Sequence, residues 1–329
     1  MIFWRTILNK NGVLKETSKQ QLSTNHQIKT YNADAYRSNF INSEDRLKAI
    51  LKADPDKFFI VKVEDLIRLM KLPVPPARTN THSFIYLTEG EAIMRIGSET
   101  HRIVKDECLI VAAGQVFSFD NVDINKGFLL NFHDDALIGK LAKNDLVKDF
   151  EFLKLWAEPK VSLDTQTSVF LKQLLQRLLF EYEANGLQNR EIIQSYLIAV
   201  LCEVNGVYKA TAGNKHLKAA DISNRFRELL FTHIKTRHLV SDYAELLNIT
   251  ANHLNKSVKA VTGKSPTKWI DEAIVLEAKV LLYQSKLSIS EIATEVGLLD
   301  QSYFSRLFKK YEGTTPLQFR KSIENTMPL

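Results

Sequence analysis

The sequence predicts an α+β multidomain chain, with a β-rich domain first, a helical connector next and an all-α domain last. Three observations carry that expectation. Short β-rich runs fill residues 55–135, helical periodicity takes over after Asp134, and the final third holds a motif that recurs fifty residues later. A length of 329 residues also exceeds what one small core organises.

Residues 1–54 are polar and weakly patterned, and are expected to form an irregular or helical surface extension. From Phe58 the texture changes. The runs FFIVKVE, SFIYLTEGEAIMRIG, THRIVKDECLIVAAG and GFLLNF, punctuated by Gly, Asp, Asn and Pro, read as an antiparallel meander or barrel. Glu89-Gly90 is the clearest hairpin turn. The segment Leu72–Thr79 holds three prolines, which lack the N–H that a helix interior or a central strand needs. Residues 136–208 form the connector, with two long helical patterns around VFLKQLLQRLLFEYEA and REIIQSYLIAVLCEVNGVY and a turn at Asn185-Gly186. Such a pair can pack on the β domain or dimerise through Val169–Tyr208. Residues 209–220 are small, polar and charged, and serve as the linker.

The domain at 221–322 contains a duplication. Leu254, Val258, Lys259, Gly263, Pro266 and Trp269 recur as Phe304, Phe308, Lys309, Gly313, Pro316 and Phe319, and Tyr243, Ala244 and Leu247 recur as Ile292, Ala293 and Val296. Each copy has the parts of a helix-turn-helix, the first at about 241–262 and the second at about 289–312. Ser241 and Ser290 are placed to cap the first helices, Thr250 and Asp300 the second. Asn248 and Gly297 suit the left-handed conformation at the turns, and Gly263 and Gly313 stop the second helices. Pro266–Ser285 reads as one rigid helix between the copies.

Which faces are dry decides the chemistry. Phe304, Leu307, Phe308 and Tyr311 form the core side of the last motif, leaving Gln301, Ser302, Ser305 and Arg306 to point outward near the helix start. An α-helix fits the DNA major groove, and its first residues reach the base edges. Arg306 can fork onto guanine and Gln301 can pair with adenine. The first copy offers Asn252, His253, Asn255 and Lys256. Lys259, Lys264, Lys309 and Lys310, with Ser290 at a helix start, suit phosphates. The charge distribution agrees: from Leu217 onward 16 Lys and Arg face 12 Asp and Glu, so most of the chain's net +6 lies there.

The run SISEIATEVGLLDQSYFSRLFKKYEGTTPLQFR closely resembles the signature of the AraC/XylS family of transcription regulators, and the block before it resembles that family's first helix-turn-helix. The resemblance covers about residues 220–322. It implies a seven-helix DNA-binding domain with two recognition helices in adjacent major-groove segments of double-stranded DNA. By position, the base-reading sites fall on Asn252, Asn255 and Lys256, then Gln301, Ser302 and Arg306. Leu298 stands where the family usually has Phe, a swap that keeps apolar character. The resemblance also implies an N-terminal cupin-like sensor barrel, RNA polymerase as a partner if the protein activates, a small-molecule effector and a homodimer. Arg78, His82, Tyr86 and Phe117 are the candidate lining of an effector pocket.

The alternative is a cupin-type small-molecule-binding or metal-dependent enzyme with a helical appendage. An open metal site needs about three convergent ligands, and His82, His101 and His133 do not supply that spacing. Gly263-Lys264-Ser265 mimics the end of a phosphate loop, but Val258 stands where the first glycine is required. The expectation is therefore no catalytic residue, no metal and no cofactor. Cys108 and Cys202 are the only cysteines, too few for a disulfide framework, and are expected to be small buried hydrophobes. No stretch suits a membrane span, and the start MIFWRTILNK is too interrupted for a secretory signal, so a cytoplasmic protein is expected.

Overall fold

The structure, a computed structural model, describes residues 30–326 apart from 32, 42–49, 53, 120–124, 138–149, 156 and 213–216. Most of the N-terminal extension and part of the connector therefore lie outside the described residues.

The N-terminal region is an antiparallel sheet of eight strands: β1 (Phe58–Lys62), β2 (Val74–Arg78), β3 (His82–Ile96), β4 (Glu99–Val104), β5 (Glu107–Val111), β6 (Val116–Phe119), β7 (Asn125–Phe132) and β8 (Lys160–Ser162). Two short helices, α1 (Ala33–Phe40) and α2 (Val63–Ile67), lie with it. Strand β3 joins two arms of the sheet. Its first half pairs with β7 and β5, and its second half pairs with β4 and β6. Glu89-Gly90, expected as a hairpin turn, is instead a bend inside this one strand. The register shifts between Leu87 and Glu89, which makes Thr88 the extra residue of a bulge, and Gly90 just beyond it takes φ 78° where β3 passes from one arm to the other. The hairpin closes later, at Gly97-Ser98, where Ile96 pairs with Glu99. The proline-rich β2 is an edge strand on β6, the sheet position that tolerates missing N–H donors.

Alternation along the strands gives the sheet two dry faces. One carries Phe58, Ile60, Phe84, Tyr86, Phe128 and Phe132, and packs on helices α3 (Thr165–Asn185) and α4 (Arg190–Ala212). Leu171, Leu175, Leu178, Leu197 and Leu201 are the fully buried helix residues that meet it. At the start of α3 the Tyr86 hydroxyl donates to Asp106 (3.0 Å), and the Ser168 hydroxyl donates to the same carboxylate oxygen (2.6 Å). Burial pushes the Tyr86 phenol up to about 12. The other face, with Val74, Ala77, Leu87, Ile103 and Val111, closes between the two arms. Cys108 is buried as expected, whereas Cys202 is exposed on the outer side of α4.

The expected linker is mostly helix. Helix α4 runs to Ala212 and α5 (Leu217–His233) begins five residues later, because Ala, Lys and Leu in that stretch are good helix formers. Among the described residues six more helices follow: α6 (Val240–Leu246), α7 (Ala251–Thr262), α8 (Pro266–Gln284), α9 (Ile289–Glu295), α10 (Gln301–Glu312) and α11 (Pro316–Thr326). They share one core, built on Phe226, Tyr243, Leu254, Ile274, Leu281, Ile292, Phe304 and Phe308. No described helix is long and apolar enough to cross a membrane.

The helical module docks on the sheet through charge. Arg78 at the end of β2 pairs with Glu277 of α8, each side chain only about a tenth exposed (12% and 11%). The Arg78 guanidinium also lies over the Phe231 ring, 5.4 Å from its centre. Ser98 donates to Glu272 (2.7 Å), and Lys264 bridges Glu99 (2.7 Å) and Glu272 (3.0 Å). Removing one member of a buried pair strands the other charge. Arg78→Ala is therefore expected to lower unfolding free energy by about 3–5 kcal/mol, while the double change Arg78→Met with Glu277→Leu recovers most of it. Urea denaturation of the full chain measures both.

Candidate nucleic-acid interface

The two copies fold alike because their sequences place the same physical parts in order. Helices α6 and α9 are short, and each turns into its longer partner through a left-handed residue, Asn248 (φ 55°) and Gly297 (φ 85°). Thr250 accepts from the His253 N–H (3.2 Å) and Asp300 from the Ser302 N–H (2.7 Å), which caps α7 and α10 as expected. Gly263 and Gly313 end those helices in the left-handed region, at φ 72° and 76°.

The expected caps of the first helices differ by a few residues. Ser241 and Ser290 lie inside the first turns of α6 and α9. Ser288 caps α9, accepting from the Glu291 N–H (3.2 Å), while Glu291 accepts from the Ser288 N–H (2.7 Å). At α6 the Asp242 carboxylate reaches back to the Leu239 N–H (3.1 Å). A capping box needs a carboxylate three residues on, and that spacing identifies Ser288 in the sequence.

The buried sides of the reading helices are Leu254, Ser257 and Val258 on α7 and Phe304, Leu307 and Phe308 on α10. Their opposite sides carry the expected polar residues. Asn252, Lys256, Gln301, Ser302 and Arg306 are exposed, and no bond or ion pair among the described residues ties their side chains. Asn255 is half-buried, and its amide donates to the Ala251 carbonyl (3.0 Å), leaving its oxygen outward-capable as an acceptor. Lys259 and Lys309 are exposed and Ser290 is exposed near the start of α9. Lys310 lies 3.4 Å from Asp271 yet keeps two-thirds of its side chain in solvent (66%).

Lys264 is placed otherwise. Expected among the phosphate contacts, it turns toward the sheet and is four-fifths covered (20% exposed) between Glu99 and Glu272. Burial alone would lower its pKa, but the bonds to the two carboxylates outweigh that and hold the ammonium above the usual lysine range. A sequence cannot show that acid partners come from two distant elements. Leu298 is buried (8% exposed) and fills the place of the family's Phe, while Leu299 beside it is almost wholly exposed (96%), an apolar side chain at the rim of the reading face that sequence reasoning passed over.

The four candidate effector residues are not brought together. Arg78 belongs to the docking surface. His82 is buried, accepts from the Ala113 N–H at Nδ1 (3.1 Å) and bonds Asp134 through Nε2 (2.9 Å). Tyr86 faces helix α3, and Phe117 lines a cavity between the arms of the sheet. Among the described residues no group of three His, Cys, Asp or Glu could hold a metal ion.

Two glycines separate strain from crowding. A Cβ on Gly297 would collide with the Lys235 carbonyl oxygen and the His238 ring, whereas one on Gly313 meets nothing within 4 Å. Gly313→Ala is expected to cost only the left-handed backbone term, about 1–2 kcal/mol. Gly297→Ala is expected to cost more than that and to lower DNA affinity with it. Chemical denaturation and DNA titration of the two variants compare them.

Residues 243–322 match the model of a family described as a helix-turn-helix domain. The chain is 32% identical over 129 residues to the Msm operon regulatory protein of Streptococcus mutans, covering 39% of this chain and 46% of that protein. It is 30% identical over 139 residues to the raffinose operon transcriptional regulatory protein RafR of Pediococcus pentosaceus, covering 42% and 50%. The matches thus span about half the length of these curated relatives. Among solved structures, the C-terminal domain of AraT, a response regulator from Geobacillus stearothermophilus, is 32% identical over 32% of this chain and 88% of that one, with a TM-score of 0.31. The C-terminal module at 243–322 is thus a helix-turn-helix domain, similar in sequence to the corresponding part of these transcription regulators.

Proposed function

We propose that the whole protein is a sequence-specific transcription regulator that reads double-stranded DNA with α7 and α10 in adjacent major-groove segments. The single observation that carries this reading is the pair of matched helices, each buried on one side and presenting untied polar side chains near its N-terminus. Asn252, Asn255 and Lys256 read bases in the first copy, and Gln301, Ser302 and Arg306 in the second. Lys259, Lys309, Lys310 and the start of α9 at Ser290 hold phosphates. Helix α8, 19 residues and roughly 28 Å long, sets the separation of the two readers.

The β-rich region at 55–135 acts as a cupin-like sensor barrel for a small-molecule effector. The helices of the connector at 136–208 supply a dimerisation face, supported by Phe170 and Phe180, which lie 45% and 65% exposed on the outer side of α3. RNA polymerase is the further partner if the protein activates. Phe180→Asp is expected to move the sedimenting species toward monomer; unchanged sedimentation would remove α3 from the interface.

Selection of binding sites from random DNA, followed by salt titration, tests the main reading. Arg306→Ala is expected to cost about 1–3 kcal/mol and to relax preference at one base position. Lys309→Ala should weaken all sequences alike and reduce the slope of log affinity against log salt by about 1. Lys264→Ala should leave that slope unchanged, because its charge is spent on Glu99 and Glu272. A flat salt response with no preferred sequence would contradict the proposal.

A further inference from the structure

The cavity between the two arms of the sheet has a volume of about 150 Å³. That matches an engineered apolar cavity known to take benzene. Its wall is set by register. One row across four strands reads Phe59, Asn131, Ser83 and Val111, and the next row on the same face reads Val61, Leu129, Ile85 and Leu109. The cavity is therefore apolar along most of its length, with Asn131 and Ser83 at one end of it, and Thr79, Thr81 and Asn125 as the other polar residues of its lining. Among the described residues that line it there is no Lys, Arg, His, Asp or Glu.

The polar end is incompletely satisfied. Asn131 is 92% buried, at 8% exposure, and its amide Nδ2 donates to the Ser83 hydroxyl oxygen (3.0 Å). That bond fixes the amide and leaves Oδ1 buried beside the space, with no hydrogen-bond partner among the described residues. Ser83, having accepted, still has its own proton to give. A buried amide oxygen without a donor is costly, and native interiors rarely leave one so.

We propose that this cavity binds a small, uncharged, mostly apolar molecule whose hydroxyl or amide group donates to Asn131 Oδ1 and accepts from the Ser83 hydroxyl. The proposal rests on the sensing role given above to the β-rich region, and it names the ligand class of that role. A carboxylate or an ammonium is disfavoured by desolvation, because the described lining has no countercharge to meet it. A pure hydrocarbon of the same size would fit the walls but leave the Asn131 oxygen unpaired. The donor is thus what the site selects.

Isothermal titration of the full chain with three probes tests this: cyclohexanol, its methyl ether methoxycyclohexane, and cyclohexanecarboxylate. The ether keeps the oxygen and loses the donor. Cyclohexanol is expected to bind at least about tenfold more tightly than the ether, equivalent to about 1.4 kcal/mol, and the carboxylate is expected not to bind. In Asn131→Leu the ether should bind no worse than the alcohol. Equal binding of alcohol and ether by the unaltered protein would overturn the donor requirement while leaving the cavity a ligand site. Tighter binding of the carboxylate would overturn the requirement for neutrality. Absence of binding by all three would remove the cavity as the sensing site, an outcome independent of DNA-site selection. The comparison among probes on the unaltered protein stands even if Asn131→Leu fails to fold.

Discussion

Helix α8 lies buried through most of its length and yet carries, besides the half-exposed Lys268, four charges that must each find a partner. Asp271 accepts from the Tyr311 hydroxyl (2.9 Å), Glu272 meets Lys264 and Ser98, Glu277 meets Arg78, and Lys279, only 5% exposed, meets Glu312 (2.8 Å). Apolar packing by Ile270, Ile274, Ala278 and Leu281 supplies the attraction but is non-directional. The charges supply the direction. Each is satisfied in one rotation and one axial position of α8, and a slip would leave charge buried without a partner. The partners sit on four separate places: the end of α7, the edge strand β2, the β3–β4 turn and the C-terminal half of α10. One helix therefore fixes both readers relative to each other and to the sheet.

The two copies are equal in plan and unequal in chemistry. Copy one presents amides and a single lysine at its reading end, with Asn252, Asn255 and Lys256. Copy two presents Gln301, Ser302 and a guanidinium, followed by two lysines. Guanidinium forks onto guanine and carboxamide onto adenine, so under the proposed reading the copies would meet different base steps rather than a repeated one. The turns differ for a local reason. Both need the left-handed conformation, which Asn248 tolerates in copy one. In copy two the Lys235 carbonyl and the His238 ring close over the turn, and there a glycine is required.

How far the sequence could be read follows from the range of each interaction. Phe304 and Phe308, the glycine stops and the caps Thr250 and Asp300 are local, so periodicity and spacing reveal them, and the fifty-residue repeat checks them against each other. Gly90 shows the limit of local reading. A glycine between polar residues fits a turn and a strand bend equally, and the pairing of Leu87–Gly90 with a distant strand, with a bulge at Thr88, decides for the bend. Lys264 shows it again, since its solvent face is taken by Glu99, 165 positions away in the chain. Arg78, His82 and Tyr86 suit a pocket by residue type, but their strand positions send them to a docking surface, a buried hydrogen bond and a helix contact. Asn131 and Ser83 carried no signal at all in sequence, because their meaning comes from standing opposite one another across two strands.

The edge pair β2–β6 brings the cavity and the DNA-reading module together. Neighbouring residues on a strand face opposite sides. Ala77 and Phe117, which pair across β2 and β6, face the apolar interior between the arms, and Phe117 lines the cavity. Arg78 and Val116, the next pair, face outward: Arg78 holds Glu277 of α8, and Val116 is part of the helical core itself. A single two-stranded wall thus has a ligand-sized space on one side and the helix that positions both readers on the other. Coupling between the sites needs no long path through the protein. It needs only that the wall sit differently with the cavity filled and empty, since a ligand shifts an equilibrium by its differential affinity for two states and by nothing else. Strand β2 pairs along its length only with β6, its other side being held at its end by the Tyr31 N–H on the Arg78 carbonyl (2.8 Å), so fewer ladder hydrogen bonds oppose its movement than oppose that of a central strand.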